Sequence, residues 1–278
     1  MLMVSNRGPE RRVLIKFGGN ALSGEGDLER FGEDLASLIA AGIRPVLVHG
    51  GGPEISEEME RRGLRVEKIS GLRVTDAAAL EVADEVLARI NSRIVSALAR
   101  EGVAAVGLSG CDAAVIASKM PSVTVAGEGG KETSVDLGRV GDVSGVDPKR
   151  LEALMSEGKV PVIYPICASP DGTRYNVNAD TVAAHVARAA GAPEMVLVTD
   201  VPGILKDGQV VRSITLRRID ELIADGTITG GMVPKVEACR TALLNGARTV
   251  YMLNGKEPRS LVRKLLREED VGTKITAG

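Results

Sequence analysis

The sequence predicts an α/β fold with a mainly parallel sheet, and three observations carry that prediction. Apolar runs such as "RVLIKF" (12–17) are continuous rather than alternating, as in a strand covered on both faces. Between such runs lie segments with apolar residues at helical spacing, "LERFGEDLASLIAAG" (28–42) being the first. The order strand, helix, strand then recurs along the chain, as crossover-connected parallel strands require.

Taken in order, "RPVLVHGGG" (44–52) is a second strand ending in glycines, and "PEISEEMERRG" (53–63) is a helix that opens on proline and closes at glycine. Residues 75–102 read as a long amphipathic helix with Thr75 as N-cap, and 103–110 as a short buried strand. From about 119 to 146 short β-rich runs alternate with glycine clusters, which predicts hairpins inserted over the sheet edge. "VDPKRLEALMSEG" is a helix, "KVPVIYPI" (159–166) a strand, and "NVNADTVAAHVARAAGA" a loop running into a helix. A second α/β set follows: strand and tight turn over 194–205, the segment 211–226, a glycine loop over 227–235, a helix over 233–246 and a strand over 248–253. The two sets are expected to share one open sheet with two lobes joined around 181–191; no fixed-period repeat or low-complexity linker is visible.

At 278 residues the chain suits one large domain or two smaller ones, and 44% hydrophobic with 26% charged residues excludes disordered and fibrous classes. A net charge of −2 and only five aromatics (three Tyr, two Phe) argue against nucleic acid and for a small-molecule partner. Cys111, Cys167 and Cys239 are far apart among apolar or small residues, as reduced buried thiols rather than metal ligands. No run has the length of a membrane span and "MLMVSNRGPERR" lacks a signal-peptide core, so a cytoplasmic protein is expected.

Several polar and glycine positions suit chemistry. Gly18 and Gly19 follow the first strand, where glycine permits a sharp turn or close approach to a ligand; an ordinary strand-to-helix turn is the alternative. "HGGGP" (His49 to Pro53) says more, because glycines at a helix N-terminus present N–H donors suited to an anion. It lacks the G-x-G-x-x-G spacing of a dinucleotide fingerprint. "TGGMVPK" sets Lys235 in the first turn of a helix, unfavourable for a cation unless an anion joins it; a solvated loop lysine is the alternative. "NVNAD" carries Asn176, Asn178 and Asp180, of which capping explains one, and the set suits a polar ligand and the orientation of lysines. Arg73 in "GLRVTD" can take a carboxylate through two parallel bonds, or form a surface ion pair with a nearby glutamate. His49 and His185 are the only histidines; no nucleophile pairs with the first, and the second lies on an Ala/Val helix face and is expected to pack.

Together "IKFGGN", "HGGGP", "GLRVTD", "DLGRVGDV", "NVNAD", "TDVPGIL", "GTITGGMVPK" and the terminal "VGTKI" resemble the amino acid kinase family, in family order from Ile15 to Ile275. The closest resemblance is to its members acting on N-acetyl-L-glutamate. It implies an open αβα sandwich, with 12–190 as the N-terminal lobe for the amino-acid substrate and dimerisation and 191–278 as the C-terminal lobe for ATP. By the same resemblance Lys16 and Lys235 stabilise the transferring phosphoryl group and Asp180 orients them. Gly18, Gly19 and Gly50 are expected against the ATP phosphates, with Gly51 and Gly52 continuing the cradle on the substrate side. Arg73 and Asn176, with Asn178 beside them, would hold the carboxylates and the acetamido group. Thr199, Asp200, Val201, Gly203, Ile204 and Leu205, with Gly230, Gly231 and Met232, correspond to the nucleotide site, and the 119–146 hairpins to a substrate lid.

The implied reaction is ATP-dependent phosphorylation of the γ-carboxylate of N-acetyl-L-glutamate to an acyl phosphate, as in arginine biosynthesis. A γ-carboxylate with a reference pKa of about 4.3 is ionised at neutral pH and needs no general base. Mg2+ is expected to arrive with ATP rather than in a protein-built metal cage. The same chemistry on an N-blocked or carrier-linked 2-aminoadipate or glutamate, and a non-catalytic ligand-binding regulator on the same fold, are the alternatives. Only about a dozen residues, with Gly8 and Pro9 among them, precede the first strand, too few for the extra helix of arginine-inhibited hexamers. An arginine-insensitive homodimer is therefore the expectation, although "SLVRKLLREEDVGTKI" partly resembles an arginine-site segment.

Overall fold

The long apolar runs become strands, with helices interspersed among them along the chain. The N-terminal half runs β1 (Arg11–Phe17), α1 (Asp27–Ala40), β2 (Ile43–His49), α2 (Gly52–Arg61), β3 (Lys68–Ile69), β4 (Leu72–Arg73), α3 (Ala77–Arg100) and β5 (Ala105–Ser109). It continues through β6 (Val115–Lys119), β7 (Val123–Ala126), β8 (Glu132–Val135), β9 (Val140–Val146), α4 (Pro148–Ser156), β10 (Val160–Tyr164), β11 (Ile166–Ala168), β12 (Arg174–Val177) and α5 (Ala179–Ala189). The rest is β13 (Glu194–Thr199), β14 (Leu205–Lys206), β15 (Gln209–Val210), β16 (Ser213–Thr215), α6 (Leu216–Ala224), α7 (Met232–Leu244), β17 (Thr249–Asn254), α8 (Ser260–Leu265) and β18 (Thr273–Thr276). This computed structural model describes residues 11–278 apart from 19, 20, 23, 25, 70 and 127–131.

Eight strands form one open sheet in the order β16-β18-β17-β13-β1-β2-β10-β5. All neighbours run parallel except β17 and β18, whose Val250 to Met252 oppose Thr273 to Ile275 antiparallel. The two α/β sets meet where β1 pairs with β13, so the expected continuous sheet is present. Chain order reverses at β1, with β2 on one side and β13 on the other, and such a point opens a crevice at the carboxyl ends of the strands.

Successive residues of β1 enter different cores, which is why its apolar run is unbroken. Val13, Ile15 and Phe17 join the cluster with Leu35, Leu38, Val86, Leu87 and Ile94 from α1 and α3. Leu14 joins the opposite cluster with Val182, Val186, Val236 and Cys239 from α5 and α7. Lys16, two residues on, shares the Leu14 face. Cys167 and Cys239 are buried, Cys111 is half-buried, and all three are free thiols. Among the described residues no helix is long and apolar enough to cross a membrane.

Four expectations are corrected. The long helix is capped by Asp76, whose carboxylate accepts the Ala79 N–H at 2.7 Å. Thr75 is instead buried and donates its hydroxyl to the Arg73 carbonyl at 2.7 Å. The strand over 159–166 breaks at Pro165 into β10 and β11, which belong to different sheets. "NVNAD" is no loop: Asn176 and Val177 lie in β12 and Asn178 caps α5. Finally, the hairpins over 119–146 are more than an edge insertion, because β6 and β9 close a small barrel with β11 and β12, while β7 and β8 pair separately.

Candidate active site

Lys16 stands near the carboxyl end of β1 on the face that α5 covers. The Asn178 side chain accepts the N–H groups of Asp180 at 2.7 Å and Thr181 at 3.3 Å, which starts α5 and puts Asp180 in its first turn. A carboxylate is favoured there by the helix dipole. Lys16 Nζ lies 2.6 Å from Asp180 Oδ1, and the lysine side chain is only 12% exposed. The pair borders a cavity of about 250 Å³ that Gly18, Thr199, Asp200 and Lys235 also line.

Lys235 comes from the other half of the sheet. It lies in the first turn of α7, whose N-terminus has no side-chain cap, and it approaches Asp200 Oδ1 at 3.4 Å. The solvated-lysine reading gives way to this one, since Lys235 faces the cavity that contains Lys16.

Beside this cavity lies a second, of about 170 Å³, lined by Gly50, Gly51, Gly52, Arg73, Asn176 and Asn178 among others. The glycines there are needed for space as well as for their donors: a Cβ on Gly51 would come within 2.6 Å of Ile90 Cδ1 and 3.0 Å of Leu87 Cδ2. α2 likewise starts without a side-chain cap, so its first N–H groups remain open to an anion. Arg73 is 7% exposed and donates to the Gly52 carbonyl at 3.0 Å, to Ser56 Oγ at 2.6 Å and to Met59 Sδ at 3.3 Å. Among the described residues none of its partners is a carboxylate, which removes the surface ion pair. Burial alone pulls its pKa down. Asn176 donates to Thr75 Oγ1 at 3.3 Å.

The remaining expected positions separate. Gly19 lies outside the described residues. Thr199 and Asp200 line the first cavity, but Val201 and Met232 pack against the core and Ile204 is fully buried. Gly203, at φ 139°, would bring a Cβ within 2.6 Å of Thr273 Oγ1, which in turn accepts the Ile204 N–H at 2.9 Å. Leu205 is exposed, as are Gly230 and Gly231 at the head of α7. His185 is half-buried and its pKa is lowered mainly by burial. Sequence reasoning missed Ser56 and Met59, which hold Arg73, and Asn91, whose Nδ2 lies 3.0 Å from His49 Nε2. Asn91 carried one signal, since it interrupts the apolar stripe of Leu87, Ile94 and Leu98 on α3.

Two lysines from opposite halves, two uncapped helix N-termini and a buried guanidinium together suit a multiply charged anion. A model of the amino acid kinase family matches residues 11–254. The chain is 41% identical to an acetylglutamate kinase of Nitrosospira multiformis over 96% of this chain and 91% of the relative. It is 43% identical to an acetylglutamate kinase of Methanocaldococcus jannaschii, over 95% of this chain and 89% of that one. Among solved structures, smu.665 from Streptococcus mutans UA159 superposes with a TM-score of 0.76 at 28% identity, covering 96% of this chain and 99% of that one. A match that spans most of the chain, on a sheet with the same architecture, makes this protein a member of the amino acid kinase family.

Proposed function

We propose that the protein transfers the γ-phosphoryl group of ATP to the γ-carboxylate of N-acetyl-L-glutamate, giving N-acetyl-L-glutamyl 5-phosphate and ADP. One observation carries the reading. Lys16 and Lys235 meet at one cavity, and the adjoining cavity holds a buried Arg73 that has no carboxylate partner among the described residues. A dicarboxylic substrate supplies that missing charge with one carboxylate and leaves the other for the lysines.

The attacking carboxylate is already ionised, so the protein's work is placement and charge stabilisation. No basic side chain is required beside it. His49, fully buried with its pKa lowered to about 4, is neutral and is not a candidate for one. Asp180 fixes Lys16 at 2.6 Å, so one cation is already in place before charge develops on the transferred group. Lys235, held loosely by Asp200, supplies the second from the opposite half. The open N–H groups at the starts of α2 and α7 add donors on both flanks.

Mg2+ would neutralise phosphate charge when it arrives with ATP. The carboxylates at the cavity, Asp180 and Asp200, are each paired with a lysine, and no cluster of three metal-ligating side chains occurs among the described residues. The site therefore fits a metal held chiefly by the nucleotide. The family resemblance further supports a homodimer with ATP on the 191–278 side, which molar mass in solution and nucleotide protection mapping would check.

A substrate panel read by ADP release tests the proposal. Turnover is expected with N-acetyl-L-glutamate, and an Arg73→Ala variant should raise its KM while leaving the KM for ATP near wild type. Turnover only with N-blocked 2-aminoadipate, or none with any acid, contradicts it.

A further inference from the structure

His49 is buried at the end of β2, its ring stacked on Phe17 with centroids 6.1 Å apart, and no step above uses it. Its contacts settle where its proton sits. Asn91 Nδ2 lies 2.9 Å from the Val162 carbonyl oxygen and 3.0 Å from His49 Nε2. A carbonyl only accepts, so the Asn91 atom facing it is the amide nitrogen, and its second hydrogen points at Nε2. Nε2 must then be bare, and the neutral ring carries its hydrogen on Nδ1. That nitrogen lies 2.9 Å from the Gly50 carbonyl oxygen, which also only accepts.

Asn91 is itself held tightly. It is 5% exposed, and a Cβ on Gly107 would come within 2.1 Å of its Oδ1, so β5 leaves room for the carboxamide only by having glycine there. Gly50 is anchored at both ends, with its N–H donated to the Phe17 carbonyl at 3.1 Å and its carbonyl taken by His49. In a planar trans peptide the N–H points opposite to the C=O. The Gly51 N–H is thereby turned away from the ring; Gly51 lines the glycine-lined cavity, and among the described residues its N–H has no acceptor.

We infer that His49 is a positioning residue for phosphoryl transfer: Asn91 locks it in the Nδ1–H tautomer, and through the Gly50 carbonyl it aims the Gly51 N–H at the reacting group. The inference rests on the proposed reaction, because it assigns that N–H a transition-state role. Asn91, about four turns along α3 from the helix start, acts on the cradle without touching substrate.

Long-range 1H–15N spectra of the ligand-free protein at neutral pH test the tautomer directly, and two histidines make assignment simple. The expected result is Nδ1–H for His49, shifting toward Nε2–H in Asn91→Leu. In kinetics, His49→Leu should lower kcat by roughly 10²-fold through misplacement of the donor, with little change in either KM. His49→Asn, which can place an N–H near the Nδ1 position, should recover a good part of that loss. An Nε2–H ring in a wild-type enzyme that phosphorylates acetylglutamate overturns the inference, as does His49→Leu turning over as fast as His49→Asn. An Nδ1–H ring in a protein that phosphorylates none of the acids instead overturns the functional reading.

Discussion

The two halves of the site are built to different tolerances. On the N-terminal side Lys16 is 12% exposed and 2.6 Å from its carboxylate, and Gly51 is so tightly packed that an added Cβ would meet Ile90 at 2.6 Å. On the C-terminal side Lys235 is 29% exposed and 3.4 Å from Asp200, and neither Gly230 nor Gly231 has an atom within 4 Å of an added Cβ. One half is fixed by strand, helix and core before any ligand arrives. The other holds its lysine and helix N-terminus loosely, and under the proposed function the nucleotide would fix them on binding.

The largest effect that sharpens this contrast is expected from Lys16→Ala. Loss of a preorganised cation should lower kcat by roughly 10²–10³-fold. It should also lower the melting temperature, because Asp180 loses its partner. The second test is pH. The folded pKa of His49 is about 4 against 6.5 for the free group, so between those values the unfolded chain binds more protons. Stability should therefore be full above pH 6.5 and fall as pH drops toward 4, by up to about 3 kcal/mol. His49→Asn should flatten that part of the profile measured by denaturant titration at several pH values.

Lys235→Ala should cost about 10²-fold in kcat yet leave the melting temperature unchanged, as expected for a loosely paired, partly exposed cation. Equal melting shifts for the two lysine variants would break the comparison. Smaller still, Gly51→Ala should lose roughly 1–3 kcal/mol by overpacking against Ile90 and Leu87. Gly231→Ala, at φ −67° with open space around it, should stay within about 0.5 kcal/mol.

What the sequence made legible follows the same division. The buried strand ending at Lys16, the glycines before α2 and the lysine after "TGG" are all local signals, and the sheet they imply is present. The small barrel was not legible, because β11 and β12 are only three and four residues long and pair with strands that lie far away in sequence. Thr75 and Asp76 are adjacent polar residues with equal capping chemistry, and only the contact between Thr75 and the 137–139 turn decides between them. The link from His49 to Asn91 spans 42 positions, and nothing near either residue announces the other. Arg73 was visible as a residue type, but its burial with no carboxylate partner among the described residues is a property of the fold.

The central claim is that this site joins a phosphoryl group to a carboxylate. Incubation of the protein with ATP, Mg2+ and N-acetyl-L-glutamate in hydroxylamine tests it most directly. The account predicts a hydroxamate formed in step with ADP. ADP release without hydroxamate would contradict it.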